Sequence, residues 1–175
     1  MKIGRLILPF LAAVIAVAGL AAVHPAFADD DGKRGAGGGA VPENAAYKQE
    51  CSSCHFLYMP GFLPGRSWEA IIKGSDKHFG ENLGLDDKAK EELSAFLTAN
   101  AAEKSGLEWS PKILKGIGAD TPGRITEVPY IKKEHGKIKA AVFKRPAIGS
   151  FSNCGACHPK GGQGGFDEDA VSIPK

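Results

Sequence analysis

Two short segments of this sequence place cysteine and histidine at a spacing that is typical of haem attachment. Residues 51–55 (CSSCH) and 154–158 (CGACH) both follow the pattern C-x-x-C-H, the signature of c-type haem. Two thiols three residues apart can form thioethers with the two vinyl groups on one haem edge, and the chain offers two such pairs, Cys51 with Cys54 and Cys154 with Cys157. The next residue, His55 or His158, lies where its imidazole can bind iron from the proximal side.

Three other uses of C-x-x-C pairs are weaker interpretations. A four-thiolate zinc site would leave the histidines after both pairs unexplained. Redox disulfides are typical of a thioredoxin-like βαβ pattern, which the sequence lacks. Structural disulfides occur in exported proteins, but neighbouring cysteines are uncommon partners in them. The sequence therefore predicts two covalently attached haem c groups.

The first 28 residues predict an export signal that is cleaved. Lys2 and Arg5 precede an uncharged apolar run, residues 6–23, and residues 26–28 (AFA) match an A-x-A cleavage site. An uncleaved membrane anchor is the alternative, because about 18 apolar residues just span a bilayer. Export would place all four cysteines in an oxidising compartment, where each is expected to be bonded.

The remaining histidines predict the second ligand of each iron. Four histidines follow the signal, and His55 and His158 leave His78 and His135 as the predicted distal ligands. The alternative is that each is an ordinary surface or core histidine. Met59 follows His55 by only four residues, too few to reach the opposite haem face easily, and packing is its expected role.

Composition shifts divide the rest of the chain. Residues 29–42 predict a flexible Gly-rich leader, residues 43–105 a helical haem domain, and residues 106–175 a smaller, irregular haem domain. Periodicity and capping residues predict a helix at 43–50, a helix after an N-cap at Ser67, a helix from Asp86 or Asp87 to about Ala102, a short helix at 129–136 and an extended segment at 138–143.

Charge is balanced overall but unevenly distributed. After residue 28 the chain has 20 basic and 20 acidic residues, which does not favour a nucleic-acid partner. Residues 43–105 have a net charge of −3 and residues 106–175 one of +4. Much of the basic excess is in residues 132–145, which form either a solvated surface or a docking surface for an acidic partner.

Several stretches carry a family resemblance. They are residues 47–55 (YKQECSSCH), 63–64 (LP), 67–68 (SW), 78–82 (HFGEN), 124–127 (RITE), 135 (H) and 153–158 (NCGACH). In these the chain resembles the diheme cytochrome c family, over about residues 43–174. The resemblance implies a mainly α protein, with a class I cytochrome c-like domain followed by an irregular haem domain. It also implies two bis-histidine haems, with His55 paired to His78 and His158 to His135.

The predicted function follows from the coordination of the irons, because two histidines would fill both axial positions of each iron. Two imidazoles lower the potential relative to methionine–histidine ligation and leave no open position, so the chain is predicted to carry electrons rather than to act as an enzyme. The resemblance implies a periplasmic donor that works with an oxygen-binding monohaem cytochrome c and a membrane cytochrome b, and a monomer is expected. The rival hypothesis is a small haem enzyme or gas-binding cytochrome, such as a peroxidase or a nitric-oxide-reactive cytochrome, with one open or displaceable iron position. A third is an anchoring subunit of a membrane redox complex.

Overall fold

The computed structural model describes residues 42–175, and these are mainly α-helical, as predicted. The predicted signal peptide, 1–28, and all of the predicted leader except residue 42 lie outside the described residues. Residues 42–175 contain seven α-helices, in chain order α1 Ala45–Cys51, α2 Gly65–Lys73, α3 Asp87–Ala99, α4 Ser110–Ile117, α5 Pro129–Glu134, α6 Ala140–Phe143 and α7 Cys154–Cys157. No β-strand occurs among the described residues. None of their helices has the length and apolar character needed to cross a membrane.

Polar side chains begin the first and third helices. Asn44 accepts a hydrogen bond from the Tyr47 backbone N–H and caps α1, and Asp86 accepts one from the Ala89 N–H and caps α3. These N-caps satisfy backbone donors that have no partner within the helix. The structure thereby confirms the predicted start of α3. That helix ends at Ala99, three residues earlier than predicted.

The start of α2 differs from the sequence prediction. Ser67 was predicted to be the N-cap, but the helix begins two residues earlier, at Gly65, after the extended Pro64. The Glu103 carboxylate accepts the Gly65 N–H at 3.0 Å and so takes the role that a local cap would have. A tertiary contact, which local sequence does not reveal, therefore sets this helix end.

The second half contains more helix than its composition suggests. The prediction missed α4, although Pro111 lies in its first turn and Ile113 and Ile117, four residues apart, are both buried. The predicted short helix at 129–136 is present as α5. The extended segment predicted at 138–143 is wrong, because α6 occupies Ala140–Phe143. Alanine at its first two positions favours the helix.

One hydrophobic core connects helices α1 to α5. It contains Leu93 and Leu97 from α3, Ile113 from α4 and Val128 just before α5, each at most 1% exposed. The ring of Phe62 stacks on that of Trp109 with centroids 4.8 Å apart. Residues on both sides of the predicted domain boundary at 105/106 thus pack in the same core, while the boundary itself stays a prediction.

Arg66 fastens α2 to the segment that follows α4. Its guanidinium donates to the Gly118 carbonyl at 2.6 Å and to the Asp120 carbonyl at 2.6 and 2.8 Å. Three charge-assisted hydrogen bonds from a single planar group fix orientation as well as distance.

Gly118 ends α4 in a conformation that glycine alone adopts easily. Its φ is 59° and its ψ is −125°, so a β-carbon there would be strained. We expect Gly118→Ala to lower the free energy of unfolding by about 1–3 kcal/mol, measured by urea denaturation followed by circular dichroism. The matched control is Gly162→Ala, because Gly162 lacks a positive φ and an added methyl there meets nothing within 4 Å. A similar loss in both variants would contradict the prediction.

Candidate haem sites

The first motif begins on a helix and ends in a turn. Cys51 is the last residue of α1, and Cys54 and His55 follow in the turn. Tyr47, on the same helix, is buried in the core and anchors this end of the chain. The motif is thus fixed at its start and accessible at its end, where Cys54 and His55 are exposed.

One hydrogen bond sets the protonation pattern of His55. Its Nδ1 lies 2.8 Å from the Phe56 carbonyl oxygen. A carbonyl can only accept, so Nδ1 carries the hydrogen and Nε2 presents its lone pair. Such a bond to the outer nitrogen is the usual way in which proteins orient a metal-binding imidazole.

His78 begins a tight turn after a short 3₁₀ helix, Ser75–Lys77. The Glu81 N–H donates to the His78 carbonyl at 3.1 Å, and both central residues have positive φ, 51° at Phe79 and 102° at Gly80. A positive φ is uncommon for a residue with a bulky side chain. The turn therefore holds His78 at a defined place, with Phe79 edge-on to its ring at 4.6 Å.

The fold brings His55 and His78 together across a cavity of about 320 Å³. Their ring centroids are 6.2 Å apart. A ligating imidazole nitrogen lies about 2 Å from its metal and roughly 1 Å from its own ring centre, so two rings on opposite sides of one ion are roughly 6 Å apart. The observed spacing fits one iron between the two rings. Cys51 and Cys54 line the same cavity, with apolar side chains that include Leu63, Trp68, Ile72 and Leu97.

The second half also contributes to this cavity, which sequence reasoning missed. Residues 123–126 and Ser152 line it. The Arg124 guanidinium lies 3.9 Å from the Phe79 ring centre, a cation–π contact beside His78. The only sequence signal was the stretch 124–127, which carried the family resemblance but received no role.

The second motif forms a helix of its own. α7 consists of the residues from Cys154 to Cys157, and His158 follows as its C-cap. Two contacts hold the segment: Asn153 Nδ2 donates to the Ile148 carbonyl at 2.9 Å, and the Ser172 N–H donates to the Cys157 carbonyl at 2.9 Å. Both cysteines of this motif are half-buried.

His135 and His158 form a second imidazole pair. Their ring centroids are 6.0 Å apart, again the spacing expected for two rings on one iron. His135 Nδ1 lies 2.8 Å from the Ile131 carbonyl, so its Nε2 is available as a ligand. His158 Nδ1 is buried without a hydrogen-bond partner among the described residues.

Burial favours the neutral imidazole in one member of each pair. Burial lowers the pKa of His78, and the neighbouring His55 and Arg124 lower it further. Burial also lowers the pKa of His158, with a contribution from His135. The neutral form is the one that binds metal, so both side chains are in a suitable state at neutral pH.

The surroundings of the cysteines can be compared with the two other uses considered for them, disulfides and a zinc site. None of the four cysteines, all within the described part of the chain, is in a disulfide. Among residues 42–175, no three His, Cys, Asp or Glu side chains gather closely enough to hold one metal ion. Met59 is only 1% exposed and lies in the hydrophobic core, where packing was its expected role.

Comparison with known proteins decides the family. A family model described as dihaem cytochrome c matches residues 47–166, well over half of the chain. The chain belongs to the dihaem cytochrome c family. Dihaem cytochromes c carry electrons, and membership implies two covalently bound haem c groups on the two C-x-x-C-H motifs. A comparison with curated proteins found no match.

Solved dihaem cytochromes c have a similar fold. A diheme cytochrome c from Rhodobacter sphaeroides is 35% identical with a TM-score of 0.62, and the match covers 71% of this chain and 97% of that one. The diheme cytochrome type c from Shewanella baltica OS155 is 34% identical with a TM-score of 0.63, covering 77% and 95%. These relatives support the mainly helical fold of the family in this chain.

Removal of a predicted distal ligand should open one haem of this dihaem cytochrome. In the reduced His78→Ala or His135→Ala protein, we expect about one carbon monoxide to bind per chain, seen as a shift of the Soret band. The reduced unmodified protein should not respond. Met59→Leu is the control, because a volume-conserving core change should leave both irons closed. A histidine variant that stays inert to carbon monoxide would show that another residue is the ligand.

Proposed function

We propose that this dihaem cytochrome c is an exported, low-potential electron carrier with two bis-histidine haems and no enzymatic activity. Cys51 and Cys54 attach the first haem, whose iron is bound by His55 and His78. Cys154 and Cys157 attach the second, whose iron is bound by His158 and His135. The observation that carries the proposal is the pair of imidazole–imidazole spacings, 6.2 and 6.0 Å.

The chain's own residues determine what the haems can do. Each haem supplies reversible one-electron chemistry between ferrous and ferric iron. Two imidazoles per iron leave no position for oxygen or peroxide, and they lower the potential relative to methionine–histidine ligation. Hydrogen bonds from the Nδ1–H groups of His55 and His135 to backbone carbonyls keep those rings oriented.

The visible spectrum tests the ligation directly. We expect low-spin bands in both oxidation states and no change when carbon monoxide is added to the reduced protein. High-spin bands, or a shift with carbon monoxide in the unmodified protein, would instead favour the rival, a haem enzyme or gas-binding cytochrome with an open iron. A redox titration should then place both potentials below that of a methionine–histidine cytochrome c measured under the same conditions.

Export to the periplasm with a cleaved signal belongs to the proposal, and it rests on the sequence of residues 1–28. N-terminal sequencing of protein from a periplasmic extract should give a start at Asp29. An intact start at Met1, with the protein in the membrane fraction, would favour the membrane-anchored subunit instead.

The proposed partners are an oxygen-binding monohaem cytochrome c, which accepts electrons, and a membrane cytochrome b. We propose that the chain meets them as a monomer and that the acceptor docks near the second haem. Support comes from a lysine surface, defined as Lys132, Lys133, Lys137, Lys139 and Lys144, which flanks His135. All five are exposed, and none forms an ion pair within the described part of the chain.

Charge makes this surface suited to an acidic partner. Within residues 132–145 only Glu134 opposes the five lysines and Arg145. Arg145 is itself half-buried and donates to the Pro174 carbonyl at 2.6 Å. Unpaired exposed cations next to a redox centre raise the rate at which an acidic protein is captured, and added salt screens that attraction.

Reversal of two charges should separate docking from a general charge effect. We expect Lys132→Glu/Lys139→Glu to slow electron transfer to the monohaem cytochrome at least tenfold at low ionic strength, by stopped-flow absorbance, with the difference shrinking at high salt. The control is Lys88→Glu/Lys115→Glu, which makes the same change in net charge on α3 and α4. Equal slowing in both double variants would contradict docking at the lysine surface.

A further inference from the structure

Tyr58 lies where the two haem attachment segments meet. It follows His55 by three residues, and the two rings are 5.1 Å apart, centre to centre. Its backbone is held from the core, because the buried Tyr47 hydroxyl donates to the Tyr58 carbonyl at 2.5 Å. Tyr58 also lines the cavity between His55 and His78. The residue is therefore fixed with respect to the first haem site.

The same side chain bonds to the second attachment segment. The Tyr58 hydroxyl donates to the Ser152 carbonyl at 3.2 Å, across 94 positions of sequence. That carbonyl also accepts the Cys154 backbone N–H at 3.0 Å. Tyr58 and a haem-bearing cysteine of the second motif thus share one acceptor. A tyrosine hydroxyl is protonated at neutral pH, so it can donate this hydrogen bond.

Aromatic packing reinforces this junction. Phe56, the residue after His55, lies against Gly155 inside the second motif, where an added β-carbon would be 3.4 Å from the Phe56 ring. Phe166 touches both sides, with its ring centre 6.3 Å from that of Phe56 and 5.1 Å from that of His158. The closest approach is at Gly161, where an added β-carbon would lie 3.0 Å from the Phe166 ring and 3.1 Å from the Phe56 ring.

We infer that Tyr58 is a positioning residue, which fixes the separation and the relative orientation of the two haems by joining their attachment segments. It supplies no ligand to either iron in this arrangement. Its ring packs on the His55 segment and its hydroxyl holds the Cys154 segment, so the two haems cannot shift independently. The inference needs two attached haems, which the family provides, and does not depend on the proposed partners, potentials or export.

Soret circular dichroism measures this geometry in the complete protein. Two nearby haems couple their Soret transitions and give a couplet, whose amplitude depends on their separation and mutual angle. We expect Tyr58→Leu, which removes both ring and hydroxyl, to reduce the couplet to about half or less, and Tyr58→Phe, which keeps the ring, to reduce it by a smaller amount. Haem content and the visible absorption spectrum should stay those of the unmodified protein.

Tyr130→Phe is the matched control, since it removes a tyrosine hydroxyl on α5 that forms no hydrogen bond with residues 51–58 or 152–158, and its couplet should be unchanged. An unchanged couplet in fully loaded Tyr58→Leu would overturn the inference, as would no couplet in the unmodified protein or an equal loss in Tyr130→Phe. If Tyr58→Leu does not accumulate with two haems, Tyr58→Phe decides alone, and an unchanged couplet there overturns the inference. A high-spin spectrum of the unmodified protein would contradict the proposed bis-histidine ligation, but not the role of Tyr58 at this junction.

Discussion

Two imidazole rings held about 6 Å apart are the constraint on which each haem site depends. One ring of each pair follows its cysteines immediately, so attachment of the haem fixes it. The second ring of each pair comes from a distant segment, and the fold must place it on the opposite side of the space between the rings. A 3₁₀ helix and a tight turn with two positive φ angles deliver His78, and the C-terminal end of α5 delivers His135. The segments that end at His78 and His135 thus set the spacing of the two ring pairs.

The attachment residues could be predicted because their chemistry is local. Thiol spacing and the following histidine are set by haem geometry, and both can be seen within five residues of sequence. A count of histidines was enough to propose His78 and His135, and the fold places each opposite the partner that was expected. Whether each ring binds iron remains a prediction.

Features that depend on distant contacts could not be predicted in the same way. Glu103 caps α2 from 38 positions away, so Ser67 looked like the cap when it was not. The helix α4 is only eight residues long, too short for its apolar period to stand out beside Gly and Pro. Arg124 and Ser152 approach the first cavity only after the chain has folded back on itself. The local sequence pattern carries no information about these long-range contacts, because they form only when both halves pack in the shared core.

The hydrogen bonds of Arg66 connect the two halves of the protein and affect how it unfolds. This side chain belongs to α2 in the first half, and it donates hydrogen bonds to the carbonyls of Gly118 and Asp120 in the second half. Residues of both halves also pack in the shared core, so unfolding of one half would expose apolar surface of the other. Denaturation of the holo-protein should therefore be a single cooperative event, in which both haems lose their native surroundings at the same temperature. Such a cytochrome is one folding unit with two redox centres, rather than two separately folding cytochromes joined by a linker.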